Sequence, residues 1–81
     1  MSVSSLVSEP ASGEVVLTLN GAPRTAPAGS TVADLLVSLE LDARTVVIER
    51  NGTILRDRAS LAKIELSPGD TIEIVHFVGG G

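Results

Sequence analysis

Apolar and polar positions alternate from Glu14 to Leu19, with Val15, Leu17 and Leu19 in one phase and Val16 and Thr18 in the other. A period of two residues predicts a strand with one face toward a core. Asn20-Gly21 follows directly, and both residue types tolerate the positive φ that a tight hairpin turn requires. The pattern predicts a second strand over Ala22–Ala26, ended by Pro27.

The period then changes. Val32, Leu35, Leu36 and Leu39 fall at i, i+3, i+4 and i+7, which predicts a helix with one apolar stripe. Ser30 or Thr31 can cap its start, and Thr31 with Asp34 has capping-box spacing. Asp34 in the first turn also complements the helix dipole. The helix is expected to end near Leu41. Thr45-Val46-Val47-Ile48-Glu49 is rich in β-branched residues and predicts a third strand. Asn51-Gly52 makes a second tight turn, after which Thr53-Ile54-Leu55 pairs back. Residues 56–66 mix charged and apolar positions and suit a loop with a helical turn. Pro68-Gly69-Asp70 reads as a turn, with the Asp70 side chain closing it by a hydrogen bond. Thr71–Val78 then forms the last strand and runs straight into Gly79-Gly80-Gly81.

Residues 1–13 are rich in Ser, contain Pro10 and Gly13, and show no sustained period, so they read as a flexible leader. The expected organisation is one folded unit over 14–78 with a glycine tail at 79–81. One helix covers one face of a mixed sheet when the first and last strands lie side by side in the middle. The expected fold class is therefore α+β, a ubiquitin-like β-grasp with four to five strands and one main helix.

Composition narrows the chemistry. Phe77 is the only aromatic residue among 81, so the core has to be aliphatic. A chain of this length holds one domain and buries roughly 60% of the surface its unfolded form exposes. A shallow binding face is easier to build at that size than an enclosed pocket. The absence of cysteine excludes a disulfide framework, a Cys-based zinc site, a ferredoxin cluster and a thiol nucleophile. His76 is the only histidine, which excludes a multi-His metal site. No nucleophile–base pair or carboxylate–metal cluster can be assembled, so neither independent enzymatic activity nor a bound cofactor is expected.

The net charge of −4 argues against nucleic acid as a partner and suits solubility or attraction to a basic protein surface. No apolar run approaches the ~20 residues of a membrane span, and the N-terminus lacks signal-peptide features. A soluble, cytoplasmic protein with no membrane partner is the expectation.

The candidate chemistry lies at the three glycines. Read as a terminus, they place a free carboxylate on a tether without side chains, able to thread a channel too narrow for a Cβ. A carboxylate is a poor electrophile, so a partner has to activate it with ATP as an acyl adenylate, which a sulfur donor can then attack. A bare glycine run is also what a frayed tail looks like. Its direct departure from a core strand favours the functional reading. Strand alternation puts Ile72, Ile74 and His76 on one face and Glu73, Val75 and Phe77 on the other. With the isoleucines toward the helix, Val75 and Phe77 lie on the open face as a docking patch. His76 reads as solvent- or partner-facing, Arg50 as a solvated charge at a strand end, and the two Asn-Gly pairs as turns only.

Val46-Val47-Ile48-Glu49-Arg50-Asn51-Gly52 resembles the central strand and turn of the ThiS family, the sulfur carriers of thiamin biosynthesis. The segment from Gly69 to Gly81 is similar to that family's C-terminal signature, and the resemblance covers Glu14 to Gly81. The leader, residues 1–13, departs from the family pattern. The resemblance implies that an E1-like adenylating enzyme activates the Gly81 carboxylate with ATP. A sulfur-donor enzyme then converts it to a thiocarboxylate, and the sulfur passes to a thiazole synthase. Gly81 is then the reacting residue, and Val75, Phe77, Val78, Gly79 and Gly80 are the residues a partner holds. The related molybdopterin carriers commonly have prolines before the tail and more aromatics, where this chain has His76-Phe77-Val78. A carrier for molybdopterin or cysteine, a ubiquitin-like modifier joined to lysine, and a plain binding module remain the alternatives.

Overall fold

The computed structural model describes residues 13–77. Within them the chain forms β1 (Glu14–Leu19), β2 (Ala22–Pro27), α1 (Val32–Ser38), β3 (Val46–Arg50), β4 (Thr53–Ile54) and β5 (Thr71–His76). Short 3₁₀ turns occupy Ala43–Thr45 and Arg58–Lys63. The strands make one sheet in the order β2-β1-β5-β3-β4. β1 and β5 run parallel in the middle, and the other neighbours are antiparallel. This is the expected β-grasp.

Local chemistry accounts for most boundaries. Asn20 and Gly21 have φ of 49° and 84°, and Asn51 and Gly52 have 52° and 87°. Positive φ at both central residues is the geometry of the hairpin turn whose twist matches its strands. At the start of α1 the capping box is complete. The Asp34 N–H donates to the Thr31 hydroxyl at 3.1 Å, and the Thr31 N–H donates to the Asp34 carboxylate at 2.9 Å.

Several boundaries differ from expectation: β2 takes in Pro27, β3 runs on to Arg50, β4 stops at Ile54, and three further ends have a clear local cause. α1 ends at Ser38 and not near Leu41. Glu40 adopts a left-handed φ of 59°, its N–H donates to the Val37 carbonyl at 3.0 Å, and that of Leu41 donates to Leu36 at 2.9 Å. This crossed pair is a Schellman closure. Leu39, the last residue of the apolar stripe, and Leu41 stay half-buried beyond the helix, so apolar residues run past its end. β3 starts at Val46 because Thr45 closes a 3₁₀ turn, capped where the Arg44 N–H donates to Asp42 at 2.9 Å. β5 ends at His76, although the Phe77 N–H still donates to the Thr45 carbonyl at 2.9 Å. Val78 lies outside the described residues.

The core is aliphatic throughout. Leu17 from β1, Val32, Leu35 and Leu36 from α1, Val46 and Ile48 from β3, and Ile72 and Ile74 from β5 are buried together. Each such side chain contributes roughly 1.5–3 kcal/mol by leaving water. Leu61 and Leu66 close the lower edge, where the loop is tied to the start of the helix. The Val32 N–H donates to Ile64 at 2.9 Å and the Leu66 N–H to Ser30 at 2.8 Å. No helix among the described residues is long and apolar enough to cross a membrane.

Candidate functional site

β5 leads toward the glycines, so its anchoring sets where the tail begins. Its alternation is the one read from the sequence. Ile72 and Ile74 are buried under the helix, while Val75 is 63% and Phe77 60% exposed. Val75 lies opposite Val47 and Glu73 opposite Glu49 on β3, so the open face carries an apolar pair beside an acidic one.

Three sets of side chains and backbone groups fix the strand. At its start Asp70 is only 5% exposed. Its carboxylate accepts from the Ser67 N–H at 2.8 Å, from Asn51 Nδ2 at 3.0 Å and from Arg50 Nε at 3.1 Å. Burial pushes this carboxyl up, but those three donors outweigh it and hold the group below its ordinary value. The expected turn-closing bond of Asp70 is thus one of three. Arg50 is not a solvated strand-end charge: it forms an ion pair, with its side chain 30% exposed.

Midway along β5, Asn20 takes the place of a strand. β1 pairs with β5 only at Thr18↔Thr71 and Leu19↔Ile72 before its hairpin turns away. The Asn20 carboxamide continues the ladder, donating to the Ile74 carbonyl at 3.2 Å and accepting from the Ile74 N–H at 2.8 Å. Asn51 does the same from the other flank, its Oδ1 accepting from the Thr71 N–H at 2.8 Å. Both Asn-Gly pairs are therefore turns and clamps on the central strand. The turn propensity explains each asparagine alone, so no sequence signal remained to mark the second role. At the far end, the Phe77 N–H bond to Thr45 fixes the last described residue.

Of the expected site residues, Val75 lies in β5 and Phe77 just past its end, and both are exposed. Val78, Gly79, Gly80 and Gly81 lie outside the described residues. His76 is exposed, and among the described residues no carboxylate forms an ion pair with it. No group of three or more His, Cys, Asp or Glu among them is placed to hold a metal ion.

A mixed sheet with its two terminal strands parallel at the centre, one helix across it and an exposed apolar strand end defines a ubiquitin-like β-grasp domain. Comparison with known proteins gives the family. The model of the ThiS family matches residues 17–81. A solved structure of thiamine biosynthesis protein ThiS from Geobacter metallireducens superposes with a TM-score of 0.71 at 34% identity, covering 83% of this chain and 100% of the other. The sulfur carrier protein ThiS of Bacillus subtilis is 47% identical over 51 residues, 63% of this chain and 76% of that protein. A thiazole synthase of Magnetococcus marinus is 41% identical over 63 residues, 78% of this chain but 19% of that longer protein. The chain spans about a fifth of the length of that relative. The chain belongs to the ThiS family.

Proposed function

We propose that this protein is a sulfur carrier for synthesis of the thiamin thiazole, acting as a co-substrate of its partner enzymes and not as a catalyst. The observation that carries this reading is the family match running without a break from the core strand through the glycine tail to Gly81. The sequence of events follows from the chemistry of a carboxylate. An E1-like enzyme directs a Gly81 carboxylate oxygen onto the α-phosphorus of ATP, and pyrophosphate leaves. A hydrosulfide equivalent from the donor enzyme attacks the acyl carbon, AMP leaves, and a thiocarboxylate remains. The thiazole synthase takes the sulfur, and an oxygen from its substrate or from water replaces it on the acyl carbon, which restores the carboxylate.

The carrier's own residues contribute position. Asp70, Asn51 and Asn20 hold β5 in place, and Val75 and Phe77 offer a partner an apolar grip next to the tail. The similarity to a segment of the Magnetococcus thiazole synthase supports that enzyme class as the sulfur acceptor. The test is the intact mass of the protein incubated with the adenylating enzyme, the sulfur-donor enzyme and ATP. A gain equal to exchange of one oxygen for sulfur, lost when Gly80 and Gly81 are deleted, is the expected result. An unchanged mass with every component present would sink the proposal.

A further inference from the structure

Of the six cations of this acidic chain, two are held in ion pairs among the described residues. Arg44 is paired with Asp42 at 2.8 Å and Arg50 with Asp70 at 3.1 Å. Arg56 and Arg58 are exposed, and among the described residues neither has a carboxylate within ion-pair distance. Both border a cleft of about 350 Å³ between the β3–β4 hairpin and the Arg58–Lys63 turn. Val46, Ile48 and Leu61, all buried, contribute its lining, together with the half-open Ile54 and Phe77. Arg58 Nε donates to the Ala43 carbonyl at 3.4 Å, which keeps its guanidinium beside the mouth.

We infer that this cleft is a docking site for a segment of the thiazole synthase that carries an apolar side chain next to a carboxylate. The apolar side chain enters the cleft, and the carboxylate lies across Arg56 and Arg58. The inference rests on the sulfur-carrier reading above. An apolar centre with charge confined to the rim is the anatomy of a protein contact. Phe77 belongs both to the cleft and to the root of the tail, so a partner that holds the tail meets the cleft at once. The charge pattern selects the partner's sign. With a net charge of −4 the chain as a whole repels acidic surfaces. Arg24 and Lys63 also lack an ion pair among the described residues, but of these four cations only Arg56 and Arg58 border this apolar cleft. An acidic partner is thereby favoured at the mouth of this cleft. A second copy of this chain brings its own negative charge and fits less well.

The test compares wild type with Arg56→Glu/Arg58→Glu and with Ile54→Asp, measuring affinity for the thiazole synthase of the same organism at low and raised salt. Thiocarboxylate formation by the adenylating and donor enzymes is followed in parallel by intact mass. All three substituted positions are exposed, so the fold should persist. The double variant is expected to bind the synthase about tenfold more weakly at low salt, with a smaller difference at raised salt. Ile54→Asp should weaken binding at both, and thiocarboxylate yield should be unchanged. Unaltered synthase affinity in both variants would overturn the inference while leaving the carrier reading intact. A fall in thiocarboxylate yield alone would assign the cleft to the adenylating enzyme. Self-association of the wild type that the double variant loses would assign it to a second copy. Either result overturns the inference. A wild type that neither gains sulfur nor binds the synthase would remove the carrier reading and the docking site with it.

Discussion

Asp70 is the one buried charged side chain among the described residues, and it joins the β3–β4 hairpin to the start of β5. Asp70→Asn keeps the shape but leaves Arg50 without its counter-charge, and should cost about 1–3 kcal/mol in urea unfolding at neutral pH. The pH dependence has a fixed sign. The folded carboxyl is held below its ordinary value, so folding favours the charged form. That stability is complete above the ordinary aspartate value of about 3.9 and is lost as pH falls through the lower folded value. The gap between wild type and Asp70→Asn should therefore narrow as pH drops below about 4. Asp42 is also depressed, to about 2, by its bonds from Arg44, but it is open to solvent and carries no comparable consequence.

Among the elements, α1 has one weak joint. Glu40 sits at φ 59° in the Schellman closure, a position that glycine fills without steric cost. Glu40→Gly should raise stability by roughly 0.5–1 kcal/mol, read as an upward shift of the urea midpoint at unchanged slope. The same joint shows where sequence patterning stops being informative. Hairpins, the capping box and the alternation of β5 were legible because each is decided by residues next to one another in the chain. The helix end was not, since Leu39 continues the apolar stripe past it, Leu41 is apolar too, and no glycine marks the stop. Apolar alternation also shows which face a side chain takes, but not which distant group a polar one will reach. Arg50 finds Asp70 twenty positions away, and Asn20 finds Ile74 across 54. The cleft beside Phe77 has no linear signature either, because its walls come from three separate segments. Of the candidate site, Val75 and Phe77 were legible as an exposed pair, whereas the clamps that hold them were not.

For the whole molecule, the core is buried between the sheet and the helix, whereas Val75 and Phe77 near the end of the central strand stay exposed. Phe77→Ala should leave the unfolding free energy within about 0.5 kcal/mol, as is usual for exposed sites. The same change should raise the KM for the carrier in the adenylation reaction at least about fivefold, if Phe77 anchors the partner with the weight of a typical buried contact residue. Equal KM values for the two proteins would remove Phe77 from the docking surface. The central placement of β5 has a mechanical consequence. Any pull on the chain beyond Phe77 acts along the axis of this strand, while its hydrogen bonds to β3 and to Asn20 lie across that axis. The load then falls on several bonds in shear at once, where a strand peeled from a sheet edge gives them up one by one. The strand order thus lets β5 bear a pull from its C-terminal end without opening the sheet.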